Sequence, residues 1–254
     1  VYEILQEPTV LLVPIAQFQI LESAPAGKLY FPHDTFVQEH PFTNQTLIYV
    51  AYWDKGVRVL DFSNPPNLAQ PPVNLVEDLD PAADLLMLEE IDGYSEFDPS
   101  ARNNIHQVRA AADLIDGFHV TVAEPEIISA PETGIITFLD SSNPTELERF
   151  GYWTLPTTEA GPLTVNNLDY SPHNFDIRDG VVALAHNKAG LWFIDVSDEE
   201  NLREPKTTGY YLPYMGRDDS PRAQPYVWGA FWQDDYVFVS DESSGLHILR
   251  YTGP

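Results

Sequence analysis

The chain has 254 residues, 43% of them hydrophobic, enough to bury the core of one or two domains. It carries 39 Asp and Glu against 13 Lys and Arg, a formal net charge of −26, and no cysteine. That field repels nucleic acid and anionic lipid, the missing thiols exclude disulfides, thiolate metal sites and cysteine nucleophiles, and no apolar run is long enough to insert in a membrane as a helix.

Short runs rich in Val, Ile, Phe, Tyr and Trp alternate with turn residues along the whole chain, an all-β signature. The start, "VYEILQEPTVLLVPIAQFQIL" (residues 1–21), reads as a third strand, a turn and a fourth strand of a larger unit. A strand "PHDTFVQ" (32–38) follows. Next comes "TLIYVAYWDKGVRVLDFSNPPNL" (46–68), an apolar strand, a polar turn ending in Gly56, and a second strand. Residues 76–104 form an acidic insertion with nine acids and no base between Glu77 and Asp98. It reads as a solvated surface loop with one short helix around residues 82–91.

The pattern then recurs. "NIHQVRA" (104–110) precedes a looser hairpin, "GFHVTVAEPEIISAPETGIITFLDSSNPTEL" (117–147), with Gly134 at its turn and a following strand "FGYWTLP" (150–156). "SPHNFDI" (171–177) precedes "VVALAHNKAGLWFIDVSDEENL" (181–202), with Gly190 at the turn, then "TGYYLP" (208–213). "YVWGAFW" (226–232) precedes "YVFVSDESSGLHILRYTGP" (236–254), with Gly245 at the turn. In three copies the hairpin ends in Asp-x-Ser: Asp61 with Ser63, Asp140 with Ser142, and Asp195 with Ser197. These acids look like ligands but read as turn formers that bond nearby backbone N–H groups.

Four strands per unit, repeated, give an all-β β-propeller built of four-stranded antiparallel blades, a single domain over residues 1–254. Units begin near residues 33, 106, 173 and 228, farther apart than the roughly 40–50 residues of a compact blade, so loops are inserted. The last unit stops after its third strand. The ring is then either closed by the N-terminal strand or continued by blades upstream.

The stretches "YVAYWDKGVRVLDFSNP", "SPHNFDIRDGVVALAHNKAGLWFIDVSDEENLRE" and "VWGAFWQDDYVFVSDESSGLHIL" resemble the LVIVD-repeat propellers. In particular they resemble the choice-of-anchor family of secreted bacterial and archaeal surface proteins. The resemblance covers most of residues 30–254 and implies export and surface exposure, with a protein or cell-surface polymer as partner. A more distant similarity is to the selenium-binding and methanethiol oxidase propellers, which hold a metal with histidines near the axis. Two departures stand out. The second blade is degenerate around "EPEIISAPET", and no signal or anchor segment is visible in residues 1–254.

Three of the seven histidines, His33, His106 and His173, occupy one repeat position at the start of the first strand; in the fourth unit that place falls near Trp228. First strands line a propeller's channel, so these imidazoles converge on one end of the axis. One reading makes them a site for a transition metal, Zn, Cu or Fe, with an open coordination position and with Asp34, Gln107 and Asn174 orienting the rings. The other has each ring bond a carbonyl of the next blade and lock the blades together. His40, His119, His186 and His247 read as packed or solvated.

Tyr52, Trp53, Tyr152, Trp153, Tyr210, Tyr211, Tyr214, Tyr226, Trp228 and Trp232 cluster at blade ends. They serve blade packing or a sugar-binding rim. No residues can be assigned as catalytic. The functional expectations are an exported acidic interaction or scaffold module, a metal-dependent enzyme on the three histidines, or a carbohydrate-binding propeller. Many acids with only four lysines (Lys28, Lys55, Lys188 and Lys206) also fit a protein kept soluble at high salt, where screening removes self-repulsion.

Overall fold

The computed structural model describes residues 2–6, 10–14, 16–64, 86–88, 90–95, 104–126, 135–156, 170–213 and 225–253. At the N-terminus β1 (Tyr2–Gln6) pairs with β2 (Val10–Pro14), and β3 (Ala16–Gln17) runs parallel to β7 (Leu86–Met87). Four antiparallel sheets follow in chain order. Blade 1 is β4 (Asp34–Glu39), β5 (Thr46–Ala51), β6 (Val57–Asp61) and β8 (Glu90–Tyr94). Blade 2 is β9 (Ile105–Ala110), β10 (Val120–Pro125), β11 (Ile135–Asp140) and β12 (Glu148–Thr154). Blade 3 is β13 (Phe175–Arg178), β14 (Val181–Ala185), β15 (Leu191–Asp195) and β16 (Lys206–Tyr211), with a single short helix α1 (Glu199–Arg203) between its last two strands. Blade 4 is β17 (Val227–Gln233), β18 (Tyr236–Asp241) and β19 (Gly245–Arg250).

The local chemistry explains the hairpins. Gly56, Gly190 and Gly245 sit at φ of 83°, 88° and 91°, the left-handed region that a side chain makes costly. Each places the third strand antiparallel to the second. The Asp-x-Ser stretches close the far end as expected. Asp61 Oδ1 accepts from the Ser63 amide at 2.8 Å, and Asp140 and Asp195 accept from the Ser142 and Ser197 amides at 2.9 Å each. These carboxylates are turn caps and not ligands. Gly134 lies outside the described residues.

The middle strands of blades 1 to 3 are buried on both faces and β18 of blade 4 on the face toward blade 3, and so the blades stack through three apolar cores. Leu47, Tyr49 and Val59 of blade 1 meet Ile105, Val108 and Leu139 of blade 2. Val122, Ile136 and Phe138 of blade 2 meet Phe175, Leu184 and Trp192 of blade 3. Ala185, Leu191 and Phe193 of blade 3 meet Val227, Trp232 and Val239 of blade 4. Deleting one such buried aromatic side chain typically costs about 3–5 kcal/mol.

Two expectations change. The acidic insertion does not carry a helix over its described part: residues 86–87 and 90–94 are strands, and residues 82–85 lie outside the described residues. Its "DGY" segment is the fourth strand of blade 1, pairing Val57 with Tyr94 and Arg58 with Gly93. The N-terminal strand does not close the last blade among the described residues. Residues 16–30 instead cover the outer face of blade 1, where Ala16, Phe18, Ile20 and Tyr30 pack against Ile48, Val50, Tyr52 and Leu60. Burying that apolar face, which water would otherwise meet, drives the choice.

The turn glycines differ in their surroundings, and this separates two costs. A Cβ at Gly190 would stand 2.5 Å from the Tyr211 carbonyl and 2.7 Å from Leu212, whereas one at Gly245 meets nothing within 4 Å. Gly245→Ala is expected to cost about 1–2 kcal/mol, the backbone penalty alone. Gly190→Ala should cost at least about twice that, because backbone must move as well. Urea unfolding of the two variants checks this, and equal losses would contradict it.

Candidate functional site

The three repeated histidines come together. His33 stands just before β4, His106 is the second residue of β9, and His173 lies two residues before β13. Their ring centroids are 4.2 Å apart between His33 and His106 and 4.4 Å between His106 and His173. The fourth repeat position continues the row: Trp228 stacks on His173 at 4.0 Å. At the other end Trp53 lies 5.3 Å from His33 and stacks on Phe31 at 4.9 Å. The row borders an open hollow of about 470 Å³ lined by His33, Asp34, His106, Glu126, His173, Asn174 and Trp228. Among the described residues no three His, Asp or Glu side chains are already drawn together as an ion-binding cluster.

The Nδ1 atoms are all engaged. His33 Nδ1 lies 3.0 Å from the carbonyl of His106, and His173 Nδ1 lies 2.7 Å from the carbonyl of Trp228. A carbonyl only accepts, so Nδ1 carries the hydrogen in both rings. Each ring is thereby tied to its repeat equivalent in the next blade. Nε2 is left as the ring atom with a lone pair for a ligand. His106 departs from the pattern: its Nδ1 lies 3.0 Å from Glu124 Oε2.

Glu124 is the last residue but one of β10 and is fully buried. Burial raises its carboxyl well above the usual range, and the nearby negative charges of Glu126 and Asp34 push the same way. Burial also lowers His106 below its ordinary value, against the pull of Glu126 and Asp34. Both directions disfavour charge on either group, and the contact between them is 3.0 Å. Glu124 Oε1 has no hydrogen-bond partner, a costly condition for an ionised carboxylate. His173 is lowered too, first by burial and then by His106.

Of the residues expected to orient the rings, Asp34 and Asn174 line the hollow, and the Asn174 side chain hydrogen-bonds His173. Gln107 serves the fold: its Oε1 accepts from the Phe175 amide of blade 3 at 2.7 Å. A further residue that orients an imidazole, Glu124 beside His106, was missed. Its signal was an acid inside the apolar run "VTVAEP", since an unpaired acid is almost never fully buried. Among the aromatics, Trp153 and Trp232 are buried between blades, Tyr52 is buried under residues 16–30 and Trp53 is buried as well, whereas Tyr152, Tyr210 and Trp228 are exposed. Tyr214 lies outside the described residues.

A second polar cluster sits at the opposite end of the inner strands. His40, just after β4, has Nε2 at 2.8 Å from the Ser141 carbonyl, and its Nδ1 accepts from the Thr43 amide at 3.2 Å. His119, edge-on to His40 at 4.8 Å, has Nδ1 3.1 Å from Ser141 Oγ. Burial pushes His119 down to about 4, helped by His40; the Ser141 carbonyl and Asp140 oppose the shift.

The LVIVD repeat family matches residues 47–70, the stretch that forms β5, its turn and β6. No curated protein matches the chain in sequence. Among solved structures, a putative 6-phosphogluconolactonase from Bacteroides fragilis is similar with a TM-score of 0.50 at 14% identity, over 99% of this chain and 62% of that one. The chain thus spans less than two thirds of that protein's length. The computationally designed Ika4 protein is similar over 89% of this chain and 95% of its own, with a TM-score of 0.45 at 7% identity. Likeness at these identities bears on the fold alone. The chain is a β-propeller in which residues 47–70 match the LVIVD repeat.

His119 makes stability pH-dependent with a definite sign. Its pKa in the folded state, about 4, is below the unfolded value near 6.5. The contribution is therefore complete above pH 6.5 and is lost as pH falls toward 4. His119→Gln should flatten the stability profile across that window by roughly 2–3 kcal/mol, read by urea unfolding at several pH values. A variant with the wild-type slope would show that His119 is not the group responsible.

Proposed function

We propose that the chain is an exported, acidic β-propeller acting as a cell-surface or extracellular interaction module, with the axial hollow as its ligand site. The observation that carries this reading is the engagement of the three Nδ1 atoms. Two hold the neighbouring blade's backbone and the third holds a buried acid. The rings are thereby fixed pins of the scaffold, with their Nε2 edges left for whatever enters the hollow. The resemblance to secreted surface propellers supports export, and the net charge of −26 supports life at high salt.

The same atoms favour a second reading, a transition-metal centre of Zn, Cu or Fe on His33, His106 and His173. Metal-binding imidazoles usually donate the other ring nitrogen to a carbonyl or carboxylate, as the tautomers of His33 and His173 do here. The donor set fits such an ion. His106 and Glu124 would then form the carboxylate–histidine pair, and an ion bound there would supply Lewis-acid or redox chemistry.

Metal analysis of the purified chain separates the readings. The module reading expects no stoichiometric metal and an unchanged content in the His33→Ala/His106→Ala/His173→Ala variant. About one ion per chain, lost in that variant, would replace it with the metal centre. Export is checked by surface proteolysis of the source cells, where a chain protected until lysis counts against it. Raising KCl from about 0.1 to 2 M should raise Tm by several degrees through screening; a flat response would remove the high-salt reading.

A further inference from the structure

The turn that joins β4 to β5 carries a motif that neither the axial hollow nor the blade cores explain. Residues 42–46 read Phe-Thr-Asn-Gln-Thr. Asn44-Gln45-Thr46 has the Asn-x-Thr form that accepts an N-linked sugar. No other asparagine of the chain is followed by a residue other than proline and then by Ser or Thr. Asn143-Pro144-Thr145, between β11 and β12, has the same ends, but the proline in its middle forbids the transfer.

The fold presents this motif at the surface. His40 donates its backbone N–H to the Gln45 carbonyl at 2.7 Å, and its own carbonyl accepts from the Asn44 amide at 2.9 Å, closing a tight turn. Asn44 sits at φ of 56°, in the left-handed region that asparagine tolerates better than most residues. The turn thus holds Asn44 through its backbone. Residues 41–44 are exposed and Thr46 is half-buried. Phe42, two residues before Asn44, is 49% exposed, and its ring stands edge-on to His40 at 5.9 Å. A pyranose has an apolar C–H face, and laying it on the Phe42 ring removes both from water.

We propose that Asn44 is an N-glycosylation site and that its first sugar packs on the Phe42 ring. The proposal rests on the reading of the chain as exported, because the acceptor sequence is used on secreted chains. In the transfer the Asn44 side-chain nitrogen forms a bond to the anomeric carbon of a sugar carried on a lipid phosphate. The bond from that carbon to the phosphate oxygen breaks, one amide hydrogen leaves as a proton, and the lipid phosphate departs. His33 precedes the six-residue strand β4 and Asn44 follows it, a separation of roughly 20 Å along the strand. The glycan therefore stands at the far end of the inner strand and leaves the axial hollow open.

The test compares the full chain purified from its source cells with the same chain made in a host that lacks N-glycosylation. Trypsin releases residues 29–55, in which Asn44 is the single asparagine. Mass spectrometry should find added sugar on that peptide from the source cells. The sugar should persist in Thr46→Ser, which keeps the acceptor sequence, and be lost in Asn44→Asp, which keeps a residue suited to the turn. The glycosylated chain should melt about 2–4 °C above the unglycosylated one, and Phe42→Ala should abolish that difference. An unmodified Asn44 on a chain open to surface proteolysis overturns the proposal and leaves export standing. An unmodified chain protected until lysis overturns both. Sugar on Asn44 with the same melting difference in Phe42→Ala overturns the packing on Phe42.

Discussion

The architecture depends on how the inner strands satisfy their exposed edges. Neighbouring blades diverge from the axis, so their first strands cannot form a continuous ladder, yet each presents buried polar backbone to the next. Side chains fill that role here. Gln38 Nε2 donates to the Ala111 carbonyl at 3.1 Å, joining blade 1 to blade 2. Gln107 takes the Phe175 amide, and Arg109 lies 3.1 Å from Asp176, joining blade 2 to blade 3. Asp176 then accepts from the Trp232 amide at 2.8 Å, joining blade 3 to blade 4. The apolar cores supply most of the burial, but these directional bonds set how far each blade is turned from the one before.

The histidine stack is the same device at one end of the channel. A ring tied through Nδ1 to the next blade's carbonyl does for the axis what Gln38 and Asp176 do further along. It differs in that each ring engages the next blade through one nitrogen alone. A residue recruited to hold blades together therefore also creates a set of ligand-ready atoms. Glu124 marks where the device is modified. At the second position the ring faces a fully buried acid and not a carbonyl, and burial opposes charge on both partners. His106 and Glu124 belong to neighbouring strands of blade 2, so here the ring is held within its own blade and not across to the next.

Much of this was legible in the sequence because repetition multiplies weak signals. A lone histidine before a strand says little, but His33, His106 and His173 at one repeat position fix both their convergence and the place of Trp228. The turn glycines and Asp-x-Ser caps were readable for the same reason, since each serves a local backbone need. What failed was non-local or masked by composition. The acids around "EEIDGYSEF" hid the fourth strand of blade 1, although its Gly93-Tyr94 pair matches Gly151-Tyr152 and Gly209-Tyr210. The role of Glu124 depends on its burial against another strand's imidazole, which no spacing encodes. The packing of residues 16–30 on blade 1 follows from competition between two apolar faces, and sequence pattern alone does not rank them.

The strong negative charge and the open edge of β19 bear on one another. Exposed sheet edges invite pairing between copies, and proteins usually suppress this with charge near the edge. Here Asp234 and Asp235 form the turn into β18, and Asp241 and Glu242 lie at the turn into β19, so acids flank both ends of the last hairpin. Between them the strand keeps apolar Leu246 and Ile248 and the cation of Arg250. Two copies approaching edge to edge would bring these acidic ends and two net charges of −26 together. The acids at both ends of the last hairpin thus weigh against pairing of two copies along β19.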